Sequence, residues 1–356
     1  KQDVKELENT LTDVSKVLKN EYKKVLKDVI NDLNNFGVST PITIPQIEID
    51  SEFNSESVIR NNIKYYYKHD SINLPESYNG LGYSNLIFMV LELTSFIERF
   101  KNSSEEKKSE FLTILIEEPE AHMHPQMQQV FIKQITKKIE SAKKEGINIQ
   151  LIITTHSSHI IAEAGIDLNK GFDRIRYFNK IDGYLEISDF NNFRHKESDK
   201  ETFRFLKQYL NLHKCDIFFA DKVIMVEGVT EKMLLPIMIN RVANSLNNEY
   251  ISILEVGGAY TQKFKELLHF IKVKTLIITD IDSVNNNGEE CRTDEMDAKT
   301  CNSTLKDWIP KKNTIVDLLN CAESEKYDTE YLRVAFQIAE INDNYVARSL
   351  EEAIIN

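Results

Sequence analysis

The chain has 356 residues, a length that suggests about two domains, each with enough sequence for its own packed core. Hydrophobic residues make up 41% and charged residues 28%, which is ordinary for globular protein, and the 11 Gly and 7 Pro argue against long low-complexity regions. The net charge of −12 excludes a uniformly basic nucleic-acid binder, although a local basic groove stays compatible with it.

Apolar runs and cysteines give the expected location. No run approaches the roughly 18 apolar residues of a membrane span, and the Lys-rich N-terminus lacks the apolar core of a signal peptide. We therefore expect a cytoplasmic protein with no membrane partner. The cysteines form no C-x-x-C pair and lie at no zinc-like spacing, so free thiols are expected at Cys215, Cys291, Cys301 and Cys321.

The first 60 residues are interpreted as a helical arm. Apolar residues at spacings of three and four predict one long helix over 3–36, ended by Gly37. This helix either packs on its own domain or serves as a dimerisation element, and the sequence leaves both open. An extended segment is predicted over 38–53, and a strongly apolar helix over 85–100.

Two α/β units follow. The apolar runs 112–116 and 149–154 predict buried parallel strands around a helix at 125–144. A helix at 202–212 leads into the second unit, whose predicted strands and helices alternate. Beyond 283 we expect a polar, irregular tail with a short helix at 348–355. The second unit is predicted to contain strands 222–226, 251–255 and 275–279, with helices 230–245 and 261–271.

The first candidate site lies at the ends of the first pair of strands. Glu117 and Glu118 follow one strand, and His156 follows the next. The carboxyl edge of a parallel sheet is where α/β proteins bind ligands, and acids there can organise Mg²⁺ and orient a water for attack on a γ-phosphate. Alone, two acids after a strand are more often a solvated turn, and a single His is more often structural.

Together these residues resemble the Walker B and H-loop pair of ABC-type ATPases in the OLD (overcoming lysogenization defect) and RecF-like group. The resemblance lies in Ile116-Glu-Glu-Pro-Glu-Ala-His-Met-His-Pro125, followed by Thr154-Thr-His-Ser157. Gly80-Leu-Gly-Tyr-Ser-Asn85 resembles the divergent signature motif of the same group.

That resemblance implies roles for five residues. Glu117 would support Mg²⁺, Glu118 would be the catalytic base, and His156 would sense the γ-phosphate. Gly82 and Ser84 would contact ATP bound on a partner protomer, through backbone amides at a helix N-terminus. Because GxxxxGK[ST] is absent, we expect the phosphate-binding loop upstream of Lys1 and ATP hydrolysis in the full-length protein.

The second candidate site is a set of acids. An apolar strand delivers Glu227 to its carboxyl end, and Glu231 follows one helical turn later. Another strand ends in Asp280 and Asp282, which alternation places on one side. Hard divalent cations prefer such oxygen ligands, so one Glu plus a D-x-D at adjacent strand ends predicts a site for one or two Mg²⁺ or Mn²⁺ ions.

Val226-Glu-Gly-Val-Thr-Glu231 together with the D-x-D resembles the Toprim domain of topoisomerases, primases and OLD-family nucleases. An ABC-type ATPase part directly followed by Toprim is the OLD arrangement. Ala347-Arg-Ser-Leu-Glu-Glu-Ala353 resembles that family's later acidic segment, in which Glu351 or Glu352 would bind a second metal. An exposed amphipathic helix explains this segment equally well. The family's catalytic Lys is not identifiable before Asn356.

These observations predict an α/β chain in which a helical arm (1–60) and the C-terminal part of an ABC-type ATPase (61–212) precede a Toprim-like parallel-sheet domain (213–356). The resemblance implies an OLD-type, metal-dependent DNA endonuclease coupled to an ATPase, forming a homodimer or larger homo-oligomer, with a role and a partner subunit in anti-phage defence. Glu227, Asp280 and Asp282 would be catalytic, and Glu231 and Glu351 would complete the metal ligands.

Two further interpretations accompany this one. The alternative function is a non-cleaving, ATP-gated DNA clamp or scaffold of the RecF or SMC type. DNA phosphates would be contacted by local lysines, for each of which a solvated helix surface is the simpler explanation. These lysines are Lys263, Lys265, Lys272 and Lys274.

Overall fold

A computed structural model of the chain divides it into two compact units, 1–164 and 165–356. None of the described helices combines the length and apolarity needed to cross a bilayer. All four cysteines are free thiols, as predicted. The structure describes residues 17, 20, 21, 24, 27, 46–51, 63–69, 72–75, 80–103, 109–166, 172–181, 183–193, 200–211, 215–258, 260–339 and 345–355.

An antiparallel sheet opens the first unit. Its strands are β1 (Gln46–Ser51), β2 (Ile63–His69) and β3 (Ile72–Pro75), in that order. The extended segment predicted over 38–53 is confirmed where β1 lies, whereas β2 and β3 were not predicted. The five described residues within the predicted helix 3–36 are helical, and the rest of that prediction lies outside the described residues.

Two helices contribute most of the apolar core that the described residues of the first unit form. Helix α1 (Leu81–Lys101) buries an apolar stripe that includes Val90 and Leu93, and helix α2 (Pro125–Lys144) buries Phe131 and Ile135 in the same cluster. These positions recur every three or four residues, so each helix turns one face inward. The N-cap of α2 is His124, with Pro at the first helical position.

Strands β4 (Leu112–Glu117) and β5 (Ile149–Thr154) are parallel neighbours, as predicted. Their predicted complete burial is wrong. Leu115 and Ile152 pair across the two strands, and they are 56% and 42% exposed. Among the described residues, α1 and α2 cover only the opposite face, which buries Ile114 and Ile149 in the helical core. The apolar runs therefore indicate strands correctly but not which faces are covered.

The second unit contains a five-stranded sheet in the order β13-β14-β10-β8-β9. The strands β8, β9, β10 and β14 are parallel, and β13 is an antiparallel edge. The three predicted strands are confirmed. The strands are β8 (Lys222–Val226), β9 (Ile251–Glu255), β10 (Lys274–Ile278), β13 (Tyr327–Thr329) and β14 (Leu332–Ala335).

The prediction of an irregular tail beyond 283 is wrong. Strand β14 lies beside β10 with Leu332 and Val334 fully buried, and a two-stranded ribbon of β11 (Ser283–Val284) and β12 (Lys299–Thr300) precedes it. The ribbon and β14 are too short for an alternation pattern to be recognised. The short helix predicted at 348–355 is confirmed over Leu350–Ile355.

Among the described residues, a hairpin and five α-helices complete the second unit. Strands β6 (Arg176–Ile181) and β7 (Tyr184–Asp189) form the hairpin, and Asn179 donates to the Ile271 carbonyl at 3.0 Å. The structure thus groups 165–211 with the second unit, whereas the boundary at 212/213 stays a prediction. The helices are α3 (Lys200–Asn211), α4 (Val229–Val242), α5 (Lys265–Ile271), α6 (Ile315–Leu319) and α7 (Leu350–Ile355).

Candidate functional sites

Glu227 and Asp280 meet at the carboxyl edge of the second sheet. Strands β8 and β10 are parallel neighbours, so the residues that follow them emerge side by side. Glu227 Oε1 accepts hydrogen bonds from the Asp280 amide at 2.9 Å, from Asn302 Nδ2 at 2.9 Å and from the Thr279 hydroxyl. The predicted convergence of these two strand ends is present, and Asn302 and Thr279 are site residues that the sequence analysis missed.

The Asp280 carboxyl group is buried among other acids. Its Oδ1 accepts from Gln337 Nε2 and from the Leu350 amide. The pKa of Asp280 is raised to about 7, mainly by burial and also by the negative charges of Glu227, Asp282 and Glu231, although the hydrogen bond from Gln337 opposes the rise. Burial and the neighbouring acids together therefore disfavour the charged form of this carboxyl group.

Asp282 lies beside the C-terminal segment. Its backbone is left-handed (φ 51°), and its amide donates to the Arg348 carbonyl at 3.1 Å. Burial raises the pKa of Asp282, the Arg348 guanidinium opposes this, and the charges of Glu290 and Glu351 raise it. The segment around Arg348, singled out by its resemblance to an acidic motif, thus folds onto the D-x-D loop.

The remaining acids differ in their hydrogen bonds to the protein and in their exposure. Glu231 is buried in the first turn of α4, where its Oε2 accepts from the Gly228 amide at 3.0 Å and so caps the helix. Glu352 accepts from the Tyr345 hydroxyl and from the Arg348 amide, both at 2.6 Å. Glu351 is exposed beside it and close enough to Asp282 to affect its pKa.

The chemistry of this cluster fits a hard divalent cation. Its donors are carboxylates from neighbouring strand ends, and oxygen ligands of this kind are the ones that Mg²⁺ and Mn²⁺ prefer. Among the described residues, however, no three His, Cys, Asp or Glu side chains already stand at the spacing needed to share one ion. The hydrogen bonds at Glu227 Oε1 explain part of this, because they direct that oxygen toward protein donors.

The predicted ATPase residues of the first unit also converge. Glu117 pairs with Thr154 across β4 and β5, and the Glu118 amide donates to the Thr154 carbonyl at 2.9 Å. Glu118 has a left-handed backbone (φ 43°), and its Oε1 lies 3.3 Å from His156 Nε2. The two residues assigned as base and γ-phosphate sensor are therefore neighbours.

Glu120 is a further residue of this loop that the sequence analysis did not assign. Its Oε1 accepts from the His156 amide at 2.6 Å, and its Oε2 accepts from the Thr155 hydroxyl at 2.9 Å. One carboxylate thereby ties the loop after β4 to the loop after β5. Glu120 is the third acid of the Glu-Glu-Pro-Glu run, and its position in the sequence does not distinguish this bridging role from that of an acid in a solvated turn.

Gly82 lies where the first turn of α1 meets the turn after β4. A Cβ at Gly82 would come within 2.2 Å of the His122 carbonyl oxygen, so only glycine fits this approach. Asn85 Nδ2 donates to the Ala121 carbonyl at 3.2 Å in the same contact. Gly82 therefore has a packing role, and ATP contact by Gly82 and Ser84 stays a prediction.

Three of the four lysines suggested for DNA contact have partners within the protein. Lys263 lies 3.1 Å from Glu201 Oε1, and Lys272 lies 2.7 Å from Glu186 Oε1. Lys265 lies over the Trp308 ring at 5.9 Å. These contacts favour the surface role that the sequence analysis held to be simpler for each of them.

Comparison with known proteins identifies both parts of the chain. Residues 1–161 match the AAA ATPase domain family, and residues 218–282 match the TOPRIM domain of the overcoming lysogenization defect protein-like family. Endonuclease GajA of Bacillus cereus (strain HuB5-5) is 34% identical over 324 residues, which is 87% of this chain and 46% of that protein. The chain is an OLD-type homologue: an ATPase segment followed by a TOPRIM domain.

Other relatives agree with this assignment. The Old nuclease of Escherichia phage P2 is 23% identical over 78% of this chain and 44% of its own length, and the OLD nuclease of Thermus scotoductus is 26% identical over 56% and 34%. The OLD-type chain spans about half the length of the first two curated relatives. A Pyrococcus furiosus Smc head domain is similar at 13% identity and a TM-score of 0.30, over 53% of this chain and 42% of that one, which is too low for a structural argument.

Proposed function

We propose that this OLD-type chain carries the cleavage site of a DNA endonuclease that depends on Mg²⁺ or Mn²⁺. The observation that supports it most is the hydrogen bond between Glu227 Oε1 and the Asp280 amide, which brings acids from two strand ends to one edge of the TOPRIM sheet. Relatives named as endonuclease and nuclease point to the same reaction class. The relatives' names do not address metal dependence or anti-phage defence, and both belong to this proposal.

The acids have distinct roles in the proposed site. Glu227, Asp280 and Asp282 hold one or two divalent cations, and Glu351 approaches from the C-terminal segment. A bound cation supplies Lewis-acid chemistry that activates water and stabilises the leaving oxygen of the phosphodiester. Glu231 contributes negative charge from the cap of α4, while Arg348 and Gln337 fix the positions of the two aspartates.

The ATPase segment is proposed to control cleavage in the full-length, homo-oligomeric protein. Glu118 orients the attacking water, His156 senses the γ-phosphate and Glu117 supports Mg²⁺, at the edge where β4 and β5 end. Gly82 and Ser84 present the first turn of α1 to ATP on a partner protomer. The distance of 3.3 Å between Glu118 and His156 supports this assignment.

A plasmid assay with the full-length protein tests the proposal. Supercoiled DNA is incubated with Mg²⁺, Mn²⁺ or EDTA, using wild type and Asp280→Ala, and ATP hydrolysis is measured in parallel. We expect cleavage with either cation, none in EDTA, and loss of cleavage with retained ATP hydrolysis in Asp280→Ala. Cleavage by the variant at the wild-type rate overturns the site assignment. DNA binding without cleavage under every condition supports the RecF- or SMC-like clamp instead.

A further inference from the structure

Asn302 is a buried amide at the centre of the acid cluster. Its side chain is only 4% exposed and lies two residues after β12. Its Nδ2 lies 2.9 Å from Glu227 Oε1, 2.7 Å from Thr279 Oγ1 and 2.9 Å from the Asp280 carbonyl oxygen. One side chain therefore contacts both strand ends that deliver the acids.

The protein also fixes the position of Asn302 itself. Its Oδ1 accepts from the Thr304 amide at 2.9 Å, and its own amide donates to Thr300 Oγ1 at 3.0 Å. The Thr300 hydroxyl in turn donates to the Ile281 carbonyl, inside the D-x-D loop, at 2.7 Å. Because the Oδ1 is already used, the Asn302 NH₂ group has a fixed orientation toward Glu227.

These bonds distinguish the two oxygens of Glu227. Oε1 accepts from the Asp280 amide, from Thr279 and from Asn302, which uses its lone pairs on the protein. The carboxylate also lies against Gly258, where a Cβ would be 2.5 Å from Oε2 and 2.8 Å from Oε1, so the absence of a side chain at this position makes space for it. The carboxylate is therefore anchored through Oε1, and Oε2 takes no part in these three hydrogen bonds.

We propose that Asn302 is a positioning residue that holds Glu227 by Oε1 so that Oε2 faces the divalent cation. This inference rests on the proposed function. An amide suits the role because it donates hydrogen bonds without adding charge. A Lys or Arg here would neutralise the acids that attract the cation, and an Asp would place a second oxygen against Oε1. Residues that orient metal ligands typically change metal affinity or activity by about 10- to 100-fold when removed.

The test measures metal binding separately from folding, using full-length protein without DNA. Mn²⁺ affinity is determined by titration calorimetry, and folding by the thermal unfolding midpoint, for wild type and Asn302→Ala. The matched control is Thr275→Val. Thr275 is similarly buried and lies near the start of β10, at the end of the strand that is remote from the aspartates, and its hydroxyl donates to the Val273 carbonyl at 3.0 Å.

We expect Asn302→Ala to bind Mn²⁺ about 10- to 100-fold more weakly, and Thr275→Val to keep wild-type affinity whatever its midpoint. Equal Mn²⁺ affinity for wild type and Asn302→Ala overturns the inference and leaves the proposed function standing. Absence of Mn²⁺ binding by the wild type overturns the proposed function itself.

A second variant protects the test against loss of folding. Asn302→Asp keeps the size and the acceptor for Thr304, but it replaces the donor NH₂ by an oxygen facing Glu227. We expect the Mn²⁺ concentration that gives half-maximal plasmid cleavage to rise at least about tenfold, which a purely structural role would not produce in folded protein. A half-maximal Mn²⁺ concentration equal to that of the wild type contradicts the positioning role.

Discussion

Gly258 lies directly against the carboxylate of Glu227. A Cβ at this position would be 2.5 Å from Glu227 Oε2 and 2.8 Å from Oε1. The clash would be with the far end of a flexible side chain, so the carboxylate would move while the backbone stayed in place. A substitution at Gly258 can therefore change the position of the Glu227 carboxylate without changing the stability of the fold.

Gly258→Ala is therefore expected to displace Glu227 without unfolding the domain. The displaced carboxylate loses its bonds to Asn302 and the Asp280 amide, and we expect Mn²⁺ affinity to fall at least about tenfold. Calorimetric titration measures the affinity, and circular dichroism confirms that the variant is folded. Mn²⁺ binding equal to that of the wild type would show that the position of Glu227 is unimportant for the metal.

Asp280 should make stability depend on pH when divalent cations are removed. Its pKa rises from 3.8 to about 7 on folding. Between these two values the folded protein keeps a proton that the unfolded chain has released, so the free energy of unfolding falls as pH rises. In EDTA, the wild-type thermal midpoint should therefore decrease between about pH 4 and about pH 7.

Asp280→Asn is the matched variant for this effect, because the amide oxygen can still accept from Gln337 and the Leu350 amide. We expect its midpoint to change less over the same pH range, and Mn²⁺ to stabilise the wild type but not the variant. An equally steep decrease in both proteins would assign the pH dependence to other groups.

The acids of the candidate metal site were predictable from the sequence because they follow recognisable apolar strands. Apolar runs locate β8 and β10, and Glu227 and Asp280 follow the carboxyl ends of these strands, which meet at one edge of a parallel sheet. The neutral residues that hold them carry no such signal. Asn302 and Gln337 lie 22 and 57 residues beyond Asp280, and their roles depend on a short ribbon and on a four-residue strand. Strand β14 is only four residues long, and Arg333 stands between its two buried residues. The strand therefore lacks the apolar run by which β8 and β10 are recognised.

The apolar runs of the first unit predict more burial than strands β4 and β5 have in the structure. Continuous apolar character predicts a strand covered on both faces, yet Leu115 and Ile152 are largely exposed among the described residues. A strand's own residues do not specify which neighbours reach its second face. The same limit applies to Glu120. Its two hydrogen bonds join the loops after β4 and β5, and the residues near Glu120 in the sequence do not indicate that these two loops are in contact.

Glu120 should support ATP hydrolysis by holding the loop of His156. Glu120→Ala removes both accepting oxygens, so the hydrogen bonds from the Thr155 hydroxyl and from the His156 amide are both lost. We expect the ATPase rate of the full-length protein to fall about tenfold, equivalent to about 1.4 kcal/mol. Glu140→Ala, on the exposed face of α2, serves as the control. Equal ATPase rates for the two variants would show that the hydrogen bonds of Glu120 are not needed for ATP hydrolysis.

Gly82 provides a test of packing against ligand binding in the first unit. The nearest atom to a Cβ there is a backbone oxygen, that of His122 at 2.2 Å, which cannot swing aside as a side chain can. We expect Gly82→Ala to lower the local free energy of unfolding by about 1–3 kcal/mol, measured by amide hydrogen exchange within α1 without nucleotide.

Gly80→Ala is the matched control, because among the described residues, apart from its chain neighbours, none has an atom within 4 Å of a Cβ at Gly80. It should cost less than about 1 kcal/mol, the range expected for an N-cap change. If Gly82→Ala exchanges as slowly as the wild type but binds ATP more weakly in the full-length protein, Gly82 serves the nucleotide and the contact with His122 is not what requires glycine. Faster exchange in Gly82→Ala alone would instead show that the first turn of α1 is held in place by this close approach.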